Sequence, residues 1–241
     1  MNFDPDNYSQ LPVIITILTV ICCQLLYWFV LNLFRKRMIP DAPGSNKKVI
    51  INFFTARKLL GVFMFLLLPL FIALVFFNAN PSELLFNPGI SYSKLLVVSI
   101  AGLVIIPVSF FTSKQSKVYG MYPEMRINDW NIKLFLISAF GWAVYNFSYE
   151  FMFRGFLLQA CLPLGTVNAI IINIILYSLL HLNKGWQEAV GAIPFGLVLC
   201  LVTIYSGTLI ASFIVHTILS VSTEYFAIRN NPGMSFIRTK E

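Results

Sequence analysis

The sequence predicts an all-α integral membrane protein with about seven transmembrane helices. Of its 241 residues, 58% are hydrophobic and only 11% are charged. A soluble domain of this size needs about a quarter charged residues to cover its surface. The apolar residues also form long runs, and the charges crowd into the segments between them. Membrane lipid is therefore the predicted solvent for most of the surface.

Seven apolar stretches are candidates for membrane spans. They cover residues 11–34, 59–77, 95–112, 134–161, 167–182, 189–205 and 207–228. The first stretch is too long for the core of a signal peptide and follows acidic residues, so we expect it to remain as an anchor. This organisation divides the chain into amino-terminal helices and loops (1–133), a core (134–228) and a short tail (229–241).

The basic residues flank the spans, which indicates a role in orienting the protein in the membrane. The net charge is +7, but no basic stripe marks a soluble face, so nucleic acid is excluded as a partner. If the basic clusters are cytoplasmic, the amino terminus lies outside, the carboxy terminus lies inside, and residues 78–94 form an outer loop. The clusters contain Arg35, Lys36, Arg37, Lys47, Lys48, Arg57 and Lys58 against Asp41, then Lys114, Lys117, Arg126 and Lys133, and finally Arg229, Arg238 and Lys240.

Ionisable residues deep in the predicted spans are confined to the carboxy-terminal half of the chain. Placing such a group in a membrane costs about 2.5 to 3.5 kcal/mol on insertion scales, so each needs a partner or a function. His181 and His216 are the only histidines, and Glu150 and Arg154 share the fourth span. Because the first three spans hold no such groups, we predict that these four residues surround one polar cavity.

Each of these residues has a structural interpretation beside the functional one. Glu150 and Arg154 are four residues apart and can neutralise each other on one helix face. Either histidine can form a hydrogen bond between helices. Alternatively, a carboxylate and two imidazoles can move protons to and from an activated water, or His181, His216 and Glu150 can bind a divalent metal such as zinc. The spacing alone leaves these alternatives open.

The seventh span adds a row of polar residues at helical spacing, His216, Ser220 and Glu224. Ser220 is placed to donate a hydrogen bond to an oxyanion that develops beside His216. Glu224 lies near the predicted inner end, close to Arg229, where a solvated charge is the ordinary interpretation. It is the alternative acid if Glu150 does not reach the cavity.

Three short motifs lie in order on separate apolar stretches. Residues 149–155 read YEFMFRG, residues 177–181 read YSLLH, and residues 216–220 read HTILS. Together they resemble the Glu-Glu-x-x-x-Arg, aromatic-x-x-x-His and His-x-x-x-Asn motifs of the CPBP (CAAX protease/Abi) family of intramembrane endopeptidases. The resemblance covers residues 134–228. It implies a CAAX-protease-like helical core in a bacterial cytoplasmic membrane, and hydrolysis of a peptide or protein substrate in or near that membrane.

By this resemblance, the catalytic residues are Glu150, His181, His216 and Ser220. The resemblance makes Arg154, Tyr149 and Tyr177 orienting or structural residues. It leaves the metal undecided, because the family pattern and this sequence both lack the His-Glu-x-x-His grouping of typical zinc proteases.

The sequence departs from the family at the first glutamate, where it has Tyr149. The family is thought to activate water with that glutamate, and a phenol is a poor general base at neutral pH. Adjacent residues on a helix point about 100° apart, so we expect one of Tyr149 and Glu150 to face away from the site. Two alternatives to a peptidase follow: an inactive relative that binds peptides as a scaffold, and a small proton-coupled transporter.

Overall fold

The computed structural model describes residues 11–38, 46–80, 92–115, 118 and 121–237. Within these residues the chain forms seven long helices, which confirms the all-α prediction and its number of helices. They are α1 (Leu11–Met38), α2 (Lys47–Phe77), α3 (Tyr92–Thr112), α4 (132–161), α5 (Thr166–His181), α6 (Trp186–Ser206) and α7 (Leu209–Asn230).

The outer surface of the helices is apolar. By length and composition, α1, α2, α6 and α7 are each able to cross a membrane, and α3 and α5 are shorter apolar helices. Large side chains such as Phe29, Leu103 and Phe140 are 62%, 67% and 72% exposed. Water would solvate such a surface poorly, whereas lipid tails solvate it well. The molecule is therefore an integral membrane protein.

Helix α4 is the centre of the bundle. Every residue from 148 to 158 is buried, and α1, α2, α5 and α7 pack around this stretch. Glycines allow the close approach of α2: a Cβ at Gly61 would lie 2.6 Å from Tyr145, and a Cβ at Gly141 would lie 2.6 Å from Phe54. Small residues at such crossings let helix backbones pack tightly in a membrane.

Two of the helices contain a π-helical turn, Phe63–Leu67 in α2 and Phe151–Leu157 in α4. Such turns are rare and often occur at functional positions, because the extra residue changes the direction of the side chains that follow. In α4 the π turn begins directly after Glu150 and includes Arg154. The unusual helix geometry thus coincides with the first sequence motif.

Helix α2 begins at Lys47, whereas the sequence analysis placed the start of this span at residue 59, so that boundary was wrong. The basic residues 47–58 are helical, and Lys58 is only 4% exposed. Its Nζ lies 2.8 Å from Glu124 and 3.3 Å from the centre of the Trp142 ring. A carboxylate from a distant loop compensates the buried ammonium group, and the apolarity of the sequence around Lys58 gives no sign of this partner.

The segments predicted to be cytoplasmic meet at one end of the bundle. Glu124 pairs with Arg57 as well as Lys58, and its backbone N–H donates to Glu224 at the end of α7. Close by, two short parallel strands, β1 (Asp129–Trp130) and β2 (Ser235–Phe236), join the loop before α4 to the tail after α7. The sequence analysis predicted no strand.

The start of α3 and the end of α6 meet where Lys94 Nζ donates to the carbonyl of Ser206. The arrangement agrees with the predicted alternation of the helices, and the direction in the membrane stays a prediction. Outside the described residues or side chains lie Lys36, Arg37, Asp41, Lys117, Arg238, Lys240 and most of the predicted outer loop 78–94.

Candidate functional site

A cavity of about 480 Å³ lies inside the bundle and contains the predicted site. This volume is within the range of pockets that bind small molecules or short peptide segments. Its wall includes Tyr149, Tyr177, His181, His216 and Ser220, so the structure brings these five predicted residues together. Much of the remaining wall is aromatic or aliphatic. The cavity is therefore a largely apolar space, with polar groups contributed by several helices.

Glu150 lies behind the wall of the cavity and contacts His216 from there. The side chain of Glu150 is completely buried, and its Oε1 lies 2.6 Å from His216 Nδ1. A carboxylate can only accept, so Nδ1 carries the hydrogen and Nε2 carries the lone pair in the neutral imidazole. Since Nδ1 faces the buried carboxylate, the Nε2 edge of the ring is the one available to the cavity.

Arg154 neutralises the same carboxylate. Its guanidinium lies 3.3 Å from Glu150 Oε1, donates to the carbonyl of Gly196 in α6, and stacks 4.6 Å from the Tyr177 ring. A lone charge at this depth would be very unfavourable, and the pair reduces that cost. The predicted pairing of Glu150 and Arg154 at four-residue spacing is present. Arg154 and His216 both contact the same oxygen of Glu150, Oε1.

His181 is oriented by its own helix. Its Nδ1 lies 2.7 Å from the backbone carbonyl of Tyr177, so Nδ1 again carries the hydrogen and Nε2 carries the lone pair in the neutral ring. The ring packs on the Tyr177 ring with centroids 4.6 Å apart. Both histidines thus have their Nδ1 held by an oxygen acceptor, which fixes their tautomers.

Tyr149 occupies the position where the family has its first glutamate. Its ring packs against Phe65, Tyr145 and Phe153, and its centroid lies 6.1 Å from the rings of both His181 and His216. As expected for neighbours on a helix, only one of Tyr149 and Glu150 faces the cavity: Tyr149 lines it, and Glu150 does not. Glu150 reaches the site through its contact with His216.

Ser220 has an amide partner that the sequence analysis did not identify. Asn146 Nδ2 donates to Ser220 Oγ at 2.9 Å, and Asn146 also lines the cavity. Its Oδ1 is buried without a partner among the described residues. In the family's pattern the asparagine belongs to the third motif, at the position of Ser220. Here the amide comes from Asn146, one helical turn before Glu150 in α4. Only the fold shows that α4 supplies this amide to α7.

Glu224 does not line the cavity. It is 1% exposed and accepts hydrogen bonds from Ser138 at 2.6 Å and from the Trp142 indole at 3.2 Å. The expectation of a solvated charge near Arg229 was wrong, because α4 and the loop around Glu124 cover this end of α7. A second carboxylate that the sequence analysis missed, Glu188 in the first turn of α6, does line the cavity.

The donor groups do not fit the zinc site that the sequence left open. A catalytic zinc takes three protein ligands, and no three His, Cys, Asp or Glu side chains converge in the parts of the chain that the structure describes. Glu150 binds the Nδ1 edge of His216, so it cannot share a metal with the Nε2 of that ring. The steps proposed below therefore use no metal.

We predict that Arg154→Leu lowers the melting temperature of the detergent-solubilised protein. The substitution leaves Glu150 buried without its cation, and breaking a buried pair costs about 3 to 5 kcal/mol. Arg229→Leu, at an exposed position of α7, is the matched control and should melt like the parent. Equal melting of Arg154→Leu and the parent would mean that water reaches the pair, contrary to its burial.

The segment of the chain that carries the site resembles a family of known proteins. Residues 131–222 match the family model described as Type II CAAX prenyl endopeptidase Rce1-like. No curated protein and no solved structure matches the chain significantly. The matched segment runs from the start of α4 into α7 and includes all three motifs. The segment that carries the three motifs and the Glu150–His216 contact is thus similar to type II CAAX prenyl endopeptidases of the Rce1-like kind, as the motifs implied.

Proposed function

We propose that this chain is an intramembrane endopeptidase of the CAAX prenyl protease-like type, which hydrolyses peptide bonds in or near the membrane with an activated water. The observation that carries the proposal is the hydrogen bond of 2.6 Å between His216 and Glu150, on the wall of a cavity large enough for a peptide segment. The substrate is a peptide or protein segment that enters the cavity from the membrane or its surface.

His216 is the general base in this proposal. Its Nε2 accepts a proton from water, and the water oxygen forms a bond to the carbonyl carbon of the substrate. The carboxylate of Glu150 stabilises the imidazolium and keeps the ring in the correct tautomer, as the aspartate does in a Ser-His-Asp triad. The carboxylate therefore acts through the imidazole, and the loss of the first glutamate of the motif does not remove the base.

Ser220 is the proposed donor to the oxyanion. Its oxygen accepts from Asn146, so its own hydrogen remains to be donated into the cavity, and the amide polarises the hydroxyl. When the carbon–nitrogen bond breaks, the imidazolium of His216 returns its proton to the departing amine. The products are a carboxylic acid and an amine, and the residues regain their starting state.

We predict that Glu150→Gln and His216→Ala each reduce kcat by about 100- to 10,000-fold, the range that general acid–base groups contribute. The assay measures cleavage of prenylated and unprenylated peptides by protein in nanodiscs. Glu224→Gln, which removes a buried carboxylate outside the cavity, is the matched control, and its folded fraction should keep the kcat of the parent. Full activity in folded Glu150→Gln would contradict the proposal, and loss only in Glu224→Gln would make Glu224 the acid.

The Asn146–Ser220 contact gives a second prediction. Ser220→Ala should lower kcat by about 100- to 1000-fold, the effect of losing one oxyanion donor. Exchanging the pair, as Asn146→Ser with Ser220→Asn, returns the amide to the position it has in the family and should recover part of the loss of either single change. Ser222→Ala, on α7 but outside the cavity wall, should not alter cleavage. A double variant as inactive as the worse single variant would show that the two side chains do not share this role.

Tyr149 favours a second candidate function, an inactive relative that binds peptides as a scaffold. An aromatic ring fills the position of the family's catalytic glutamate, and together with Tyr145 and Tyr177 it forms an aromatic part of the cavity wall that suits the binding of an apolar segment.

We predict that Tyr149→Glu distinguishes the two functions. If the parent protein binds peptides without cleaving them, the new carboxylate should create cleavage that depends on His181 and His216. If the parent is already a peptidase, Tyr149→Glu should lower the melting temperature, because a charge enters an aromatic cluster. In that case kcat should rise little. Tyr149→Phe controls for loss of the hydroxyl alone. Cleavage that persists in His181→Ala with His216→Ala would rule out a catalytic site shared by the two histidines.

A further inference from the structure

Glu188 places a carboxylate on the wall of the cavity. Among the described residues that line it, Glu188 is the only acidic side chain, and no Lys or Arg lines it. Glu188 is half-buried and lies in the first turn of α6, across the turn from His181 at the end of α5. The chain as a whole carries a net charge of +7, so the negative charge in the cavity is local and opposite in sign to that of the molecule.

Three cations whose side chains the structure describes lie behind the wall and are already paired. Arg57 and Lys58 bind Glu124, at 3.3 Å and 2.8 Å, and Arg154 binds Glu150. These cations sit behind aromatic rings that face the cavity, as Lys58 does behind Trp142 and Arg154 does behind Tyr177. The side chains that the structure describes therefore include no ion-pair partner for Glu188.

The negative charge of Glu188 also affects Tyr122, which lies in the loop before α4. Burial raises the pKa of its phenol well above the usual value, and the charge of Glu188 is the next cause, ahead of Glu124 and Glu224. The hydroxyl is thus a neutral donor near the carboxylate. Aromatic faces of Trp28, Tyr122 and Tyr145 also line the cavity, and such faces attract cations.

We propose that the cavity contains a subsite for a basic side chain, a lysine or arginine of the bound peptide, with Glu188 as its counter-charge. The inference rests on the proposed function, because it names the class of substrate that the same cavity accepts. A half-buried carboxylate that has no cation among the described side chains is costly near a membrane, and an ammonium or guanidinium of the substrate offsets that cost. The aromatic wall accommodates the aliphatic part of the same side chain.

Binding and cleavage of a matched peptide set test the subsite. The probes are fluorescein-labelled peptides of alanine, leucine and serine that carry lysine, norleucine or glutamate at one central position. The full-length protein in nanodiscs should bind the lysine peptide about tenfold more tightly than the norleucine peptide by fluorescence anisotropy, an effect of the size expected for a charged hydrogen bond. Glu188→Gln should abolish this difference, and Glu188→Lys should reverse it in favour of glutamate. Asp129→Asn removes an exposed acid that lies away from the cavity, so this variant should still prefer the lysine peptide to the norleucine peptide.

Several results would overturn the subsite. Equal affinity of the parent for the lysine and norleucine peptides would do so, as would a preference for lysine that survives in Glu188→Gln. Loss of cleavage of the norleucine peptide in Glu188→Gln would instead place this carboxylate in the chemical step. A lysine preference that depends on Glu188, in protein that cleaves none of the peptides, would keep the subsite as a feature of a binding protein and reject the proposed hydrolysis. Binding of free lysine amide with the affinity of the lysine peptide would mean that a small cation, and not a peptide, is the ligand.

Discussion

The carboxylate of Glu150 has no access to water, and the arrangement of the site follows from the need to compensate its charge. Arg154 supplies the cation from the same helix, and His216 supplies a hydrogen-bond donor from α7. Arg154 also reaches the carbonyl of Gly196 in α6 and the ring of Tyr177 in α5. One buried charge thus connects four helices. In a membrane, where apolar contacts between helices compete with lipid, such polar links are an important source of specific packing.

The same interaction decides which atom of the site is reactive. Because Glu150 holds the Nδ1 hydrogen of His216, the lone pair of the neutral ring lies on Nε2, on the cavity side. The carboxylate of Glu150 lies behind the wall of the cavity, whereas the aromatic ring of Tyr149 lines the cavity. The second ionic cluster, around Glu124 and Lys58, is likewise behind aromatic rings. Glu188 differs from these charged groups because its carboxylate lines the cavity. The proposed recognition of a basic side chain depends on this exposure to the cavity.

The amino-acid sequence determined the fold class, the number of helices and the choice of the main polar residues. Long apolar runs must be solvated by lipid, and only helices satisfy their own backbone there. Ionisable groups are so costly in these runs that His181, His216, Glu150 and Arg154 stand out without a structure. Their spacing was enough to show the resemblance to the family, since motif order is a property of the chain. Glu188 carried no such signal, because polar residues near predicted helix ends are common, and Asn146 carried none, because its side chain is not ionisable.

The tertiary structure alone decided how these residues face one another. The 100° rule for adjacent helical residues correctly predicted that Tyr149 and Glu150 do not both face the cavity, but only the packing of α7 against α4 shows that Glu150 still reaches the site, through His216. Lys58 was expected in a cytoplasmic basic cluster between two spans, but it is buried against Glu124, which is 66 residues away along the chain. The physical reason is the same in both cases. Local periodicity fixes the direction of a side chain relative to its own helix, whereas its partner and its solvation depend on which other helix packs against that face.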